Sequence, residues 1–360
     1  MPISPPAISP VTAQPSRLES VLTRAWLRRG ALACALWPLS CLFGALAATR
    51  RLLYRAGVLK SVRLPVPVVV VGNIFIGGTG KTPLTIWLVG ALRAAGFEPG
   101  VISRGHGSTD RAPRPVMPGS TAAEVGDEPL LIARRGQCPV MVGRDRAAAG
   151  LALLAAHPEV DIVIADDGLQ HYALRRDVEI VLFDSRGAGN GWLLPAGPLR
   201  EPRGRRRDVT VVNTSALDPV LAAAVAGPGG LLLPMTLSGE YAERLADRAE
   251  RVPLRQLGQS GARIVAAAGI GNPQRFFTML AAQGVRCAEL ALPDHHDFLD
   301  QPFAGIDAQL ILITEKDAVK CGQIEQLRND PRLWVVPVTA CIDAALALHI
   351  VEKCRGHSTA

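Results

Sequence analysis

Aromatic side chains are scarce in these 360 residues, at 4%, and no basic stretch is interleaved with the stacking rings that nucleic-acid binding uses. That argues against a nucleic-acid partner. The seven cysteines include no C-x-x-C pair and no spacing suited to zinc. Their odd number fits reduced thiols rather than a disulfide framework. No internal repeat is detectable. Acids are nearly missing from residues 1–64, where Glu19 stands alone against nine Lys and Arg. The formal charge of +7 therefore resides in that leader, and the rest of the chain is close to neutral.

Charge is also missing from Gly30 to Thr49, GALACALWPLSCLFGALAAT, between Arg28-Arg29 and Arg50-Arg51. About twenty such residues suffice to cross a bilayer. Arginines at both ends and Pro38 in the middle are equally compatible with an anchor lying at the interface, and the basic flanks suit anionic lipid. A buried core helix is the soluble alternative. Ala45-Leu46-Ala47 has the form of a signal-peptidase site, but Arg50, Arg51 and Arg55 follow at once, against export. Before this segment, the Pro- and Ser-rich residues 1–15 read as disordered, and Ser16-Arg17-Leu18-Glu19 has capping-box spacing for a helix start.

From residue 65 onward, short β-branched runs alternate with helical periodicity: VPVVVVG, KTPLTIWLVGAL, EPGVIS, EPLLIARR, PVMVG, DRAAAGLALLAAH, DIVIAD, EIVLFD and DVTVVN. This rhythm predicts a parallel sheet sandwiched by helices, with ligand loops at the carboxyl ends of the strands. A Gly/Pro break at 224–230 is followed by RIVAAAG, FFTMLAAQG, CAELAL, LILIT and LWVVPV, which predict a second, smaller α/β domain. The expected divisions are 1–64 for the leader and anchor helix, 65–225 for the phosphate-loop core and 226–360 for the smaller domain, with a hinge within residues 225–245.

Phe75-Ile76-Gly77-Gly78-Thr79-Gly80-Lys81-Thr82-Pro83 lies between a predicted strand and a predicted helix. Phe75 occupies the place where the usual phosphate-loop pattern has its first glycine. Gly77, Gly78, Thr79 and Gly80 can still turn successive N–H groups around phosphate oxygens at a helix N-terminus. Lys81 would reach the β- and γ-phosphates of ATP, and the Thr82 hydroxyl would ligate Mg²⁺. Asp166 and Asp167, closing the strand DIVIAD, have the type and place expected of a metal shell.

Further polar clusters sit in predicted loops: SRGHG at 103–107, GDEP at 126–129, DDGLQH at 166–171, LLPAGPLREP at 193–202, PDHHDF at 293–298 and TEKDAVK at 314–320. Each alone is weak, since an Asp before a helix is usually a cap. Together with GN…GGTGKTP, and in this order from Gly72 to Lys320, they resemble the tetraacyldisaccharide 4′-kinase family of lipid A biosynthesis. His106 stands where an aromatic is common in such proteins.

The resemblance implies transfer of the ATP γ-phosphate to the 4′-hydroxyl of an acylated glucosamine disaccharide 1-phosphate. It also implies an enzyme at the cytoplasmic face of the inner membrane, in agreement with the basic apolar leader. By the same likeness Asp127 is the base that receives the hydroxyl proton, with His295 of the smaller domain paired to it. Such a carboxylate suits a poor sugar nucleophile. Arg104 and Arg200 are candidates for anionic substrate groups, Gln170 and His171 for substrate contacts, and Glu201 for the metal shell. A partitioning-type ATPase carries a lysine just before the paired glycines, and here that residue is Ile76. A membrane scaffold regulated by nucleotide is the non-enzymatic alternative.

Overall fold

The structure, a computed structural model, describes residues 24–105 and 112–355. The expected leader at 1–15, the helix start at 16–19 and His106 of SRGHG fall outside the described residues. The described residues divide into two compact units, one formed by residues up to 237 together with those from 340 onward, and the other by residues 238–339.

The uncharged stretch forms a helix, Ala31–Arg55, with Pro38 inside it. It is the one described helix long and apolar enough to cross a membrane. Of its residues only Ala33 and Ser40 are buried, while Trp37, Leu39, Leu42, Leu46 and Leu52 are exposed. The soluble alternative of a buried core helix is therefore not what forms.

In the first unit the strands are β1 (Val68–Gly72), β2 (Pro99–Ser103), β3 (Arg114–Pro115), β4 (Val140–Val142), β5 (Ile162–Asp166), β6 (Val178–Asp184), β7 (Val209–Asn213) and β8 (Leu231–Ser238). In the second they are β9 (Tyr241–Arg244), β10 (Arg251–Pro253), β11 (Ile264–Ala268), β12 (Ala288–Ala291), β13 (Leu310–Thr314) and β14 (Leu333–Val336), after which β15 (Thr339–Ile342) returns to the first sheet. The first sheet has nine strands in the order β15-β8-β7-β6-β1-β5-β2-β4-β3. It is parallel from β8 to β4, and β3 pairs antiparallel at the edge.

The period-2 alternation of a strand explains why β1 is apolar throughout. Val69 and Val71 face one core with Leu84, Leu88 and Leu92 of the helix Lys81–Ala94, together with Leu346 and Ile350. Val68 and Val70 face the other, with Ala149 and Leu153 of the helix Arg146–Ala156. The chain passes from β1 to β2 on one side and from β5 to β6 across β1 to the other. The carboxyl ends of β1, β5 and β6 therefore meet where the winding reverses, the usual place for a ligand crevice.

The second unit holds a six-stranded sheet in the order β10-β9-β14-β13-β11-β12, parallel from β14 to β12, with β9 and β10 antiparallel. The division differs from the expected boundary at 225/226. β8 extends the first sheet, and the C-terminal helix Ala345–Arg355 packs its buried Leu346, Ile350 and Val351 into the first core. Periodicity alone could not assign β8, β15 or that helix, because an apolar face has the same pattern whichever core it joins.

Candidate active site

The loop after β1 is held by Asn73. Its buried side-chain amide donates to the carbonyls of Phe75 and Gly77, and its Oδ1 accepts from Lys81 Nζ at 2.9 Å. Gly80 has φ of 102° and precedes the helix Lys81–Ala94. A Cβ there would lie 2.6 Å from Nδ2 of Asn213, which donates to the Thr79 carbonyl at 2.9 Å. The N–H groups of Lys81 and Thr82 thus open the helix directly after a left-handed glycine.

Phe75 is itself buried at 4% exposure and forms a platform 4.3 Å below the Arg186 guanidinium. Arg186 is forked onto Asp184 at the end of β6, with Nη2 to Oδ2 at 2.6 Å. The loop lacks its first glycine but has side-chain ties in compensation: the Asn73 amide inside it and the Phe75–Arg186–Asp184 stack beside it.

The paired acids divide their roles. Asp166 is buried and accepts from the hydroxyls of Thr85 at 3.3 Å and Ser103 at 3.2 Å. Burial, with the neighbouring Glu128 charge next, pushes its carboxyl up to about 7. Asp167, at φ 51°, turns outward and lies 3.6 Å from Lys81 Nζ and 3.8 Å from Arg200 Nη1. Arg200 reaches it because the LLPAGPLREP loop is laced to the start of the phosphate loop: Ile76 N–H donates to Pro198 at 3.0 Å and Arg200 N–H to Ile74 at 2.7 Å. Lys81, Asp167 and Arg200 are therefore brought together from three separate motifs.

Other expected residues are placed differently. Glu201 is buried and turns towards the N-terminal helix, accepting from Tyr172 at 2.5 Å and from Arg51 at 3.0 Å. Its carboxylate is engaged there rather than with Asp166 or Asp167. His171 Nε2 accepts from the Arg146 N–H at 3.3 Å. Burial, and then the Arg146 charge, hold that imidazole below its ordinary range. Arg104 is exposed at the end of β2 and Gln170 half-buried after β5. Asp127 is buried in the first turn of the helix Asp127–Gly136, with Oδ1 accepting from the Glu128 N–H at 2.9 Å.

His295, in the second unit, has φ of 61°, and its Nε2 lies 3.4 Å from Lys316 Nζ. Lys316 in turn bonds Asp294 at 3.1 Å. Lys320 reaches the His296 carbonyl at 3.1 Å, so TEKDAVK forms the seat on which the PDHHDF turn rests. Nearby, His296, Asp297 and Asp300 place one ligand atom each within 4.8 Å of one another.

Sequence reasoning assigned no role to Asn73, Thr85, Asn213, Arg146 or the Asp184–Arg186 fork. Thr85 carried a signal: it lies one helical turn after Lys81 and Thr82, on the same face. Asp184 ends β6, beside β1, and Asn213 ends β7, one strand further out, positions that only the strand order reveals.

Comparison with known proteins settles the family. The family model described as LpxK, tetraacyldisaccharide-1-P 4′-kinase, matches residues 32–355. The chain belongs to this family. It is 60% identical to the tetraacyldisaccharide 4′-kinase of Herminiimonas arsenicoxydans over 98% of this chain and 100% of that one. It is 62% identical to the one from Janthinobacterium sp. (strain Marseille) over 96% and 99%. Among solved structures it is similar to an "apo" form of LpxK from Aquifex aeolicus in complex with ATP. That match has a TM-score of 0.72 and 27% identity, over 90% of this chain and 99% of that one. As a member of the tetraacyldisaccharide 4′-kinases the chain is an ATP-dependent phosphotransferase of lipid A biosynthesis.

Proposed function

We propose that this chain moves the γ-phosphate of ATP to the 4′-hydroxyl of a tetraacyl disaccharide 1-phosphate through the residues gathered at the ends of β1 and β5. The observation that carries this reading is the convergence of Lys81, Asp167 and Arg200 on the Asn73-braced phosphate loop. Lys81 and the loop N–H groups would hold the nucleotide's phosphates. Mg²⁺ would suit the hard oxygen donors Thr82, Asp166 and Asp167, where the Glu128 and Asp167 charges beside buried Asp166 are only partly met by Lys81 and Arg146. Bound there, it would neutralise charge on the transferring phosphoryl group.

Asp127 is proposed to take the 4′-hydroxyl proton, and Arg200 to meet anionic substrate oxygens. Arg104, Gln170 and His171 are proposed substrate contacts. His295 is proposed to act with Asp127 on that proton. If so, His295→Ala lowers turnover, and adding it to Asp127→Ala costs little more. Unchanged turnover in His295→Ala would leave the second unit a purely structural role.

The substrate's acyl chains give the exposed apolar face of Ala31–Arg55 a purpose. Trp37, Leu39, Leu42 and Leu46 would sit among lipid chains, with Arg50 and Arg55 near anionic headgroups, at the cytoplasmic face of the inner membrane. The decisive assay uses detergent-solubilised full chain, labelled ATP and the acylated disaccharide 1-phosphate. Labelled lipid is expected from wild type and none from Lys81→Ala or Asp127→Ala in folded protein. Its absence with wild type overturns the proposal.

A further inference from the structure

Arg146 is a buried cation with no counter-ion among the described residues. It lies at the start of the helix Arg146–Ala156 and is only 3% exposed. Nη1 donates to the Gly143 carbonyl at 2.7 Å, while Nε is buried with no hydrogen-bond partner. No carboxylate among the described residues pairs with it within ion-pair distance. The acids around it are engaged elsewhere. Asp145 caps the N–H groups of Ala147 and Ala148, and Asp166 accepts from Thr85 and Ser103. His171 Nε2 takes the backbone N–H of Arg146, not its guanidinium.

A guanidinium buried in this way, with one neutral acceptor, is costly in an isolated protein. Burial holds its pKa down to about 10, with Asp166 and Asp167 opposing that and Arg104 adding to it. Its N–H contact with His171 sets Arg146 against the DDGLQH loop that follows β5, the loop that also carries the acids assigned to the metal. The fork geometry of arginine suits two oxygens of one phosphate.

We propose that Arg146 is a substrate-contacting residue whose free guanidinium edge receives a phosphate dianion. Resting on the kinase reading above, the dianion has two sources, the γ-phosphate of ATP or the 1-phosphate of the acceptor. Its cost in the ligand-free protein is then offset on binding, as in other sites where local stability is given up for function.

The test uses full-length Arg146→Gln and Arg146→Lys in detergent. Melting curves are expected to show little change in either variant, because the lost hydrogen bond to the Gly143 carbonyl is offset by removal of a buried charge with no carboxylate partner among the described residues. Removing a charged hydrogen-bond partner is expected to weaken binding of one phosphate-bearing substrate roughly tenfold to a hundredfold in Arg146→Gln. Arg146→Lys is expected to recover part of that loss. If the γ-phosphate is the ligand, a non-hydrolysable ATP analogue binds more weakly while ADP is unaffected. If the 1-phosphate is the ligand, the preference for the acceptor over its 1-dephosphorylated form collapses.

A lower melting temperature with both substrates' binding and KM unchanged would make Arg146 a framework residue and overturn the proposal. The analogue and melting measurements need no turnover. A wild type that binds nucleotide in an Arg146-dependent way yet labels no lipid would sink the acceptor reading alone.

Discussion

Lys81 Nζ donates to Asn73 Oδ1 at 2.9 Å, so the lysine proposed to meet phosphate is oriented by a residue that also ties down the loop in front of it. Asn73 has three such contacts, and alanine has none. Asn73→Ala is expected to raise the KM for ATP roughly tenfold or more and to lower kcat, with melting little changed. Steady-state kinetics at varied ATP checks this. An ATP KM equal to wild type would show that the glycines alone shape the loop.

Gly80 is the loop's strictest position. Its φ of 102° disfavours any side chain, and a Cβ would meet Asn213 Nδ2 at 2.6 Å. Gly80→Ala should abolish nucleotide binding, with a backbone cost of about 1–3 kcal/mol. Adding Asn213→Ala removes the clash but not the strained φ. The double variant should therefore stay defective when ATP binding is measured calorimetrically.

The N-terminal helix does more than offer an apolar face. Ser40 Oγ donates to the Leu193 carbonyl at 2.6 Å and accepts from the Ala196 N–H at 2.9 Å, and Arg51 reaches Glu201. These contacts grip the same loop that carries Arg200. Ser40→Val leaves the buried Ala196 N–H unpaired, while the Leu193 carbonyl keeps the Gly197 N–H, and should cost about 1–3 kcal/mol. Hydrogen exchange across 190–202 should rise in the variant, and activity should fall even in detergent, where no membrane is at stake.

Asp317 allows a pH test away from the phosphate loop. Its carboxylate, fully buried, accepts from Thr314 Oγ1 at 2.6 Å and the Gly269 N–H at 3.0 Å, but Oδ1 has no partner. Burial raises its pKa more than those bonds and Lys320 and Lys316 lower it. A folded pKa above the unfolded one means that the native state holds the proton longer. The stability this supplies is present below the unfolded value of about 4 and is lost as pH rises through the folded one. Asp317→Asn keeps an acceptor for Gly269 and cannot ionise. Its melting advantage over wild type should therefore be greater at about pH 8 than at about pH 4; an equal difference at both would contradict this.

Much of the first unit could be read from the chain. β1, β5, β6 and β7 are largely apolar runs rich in β-branched residues, as a sheet covered on both faces requires, and the glycines before Lys81 permit the left-handed backbone that an anion loop needs. The loop motifs were recognisable as a set because each is a stiff or polar punctuation at a strand's carboxyl end.

Contacts between motifs were not readable, since they depend on strand order and on which way a side chain turns. Glu201 follows Arg200 directly, yet Arg200 faces Asp167 while Glu201 faces Arg51 and Tyr172. Arg146 looks like an ordinary charged residue opening a helix, and only burial without a carboxylate marks it out. Local spacing, which the backbone alone imposes, dictated the strands, the phosphate loop and the apolar helix. Folding decided which charges meet, because the free energy of a charge depends on neighbours that lie far away along the chain.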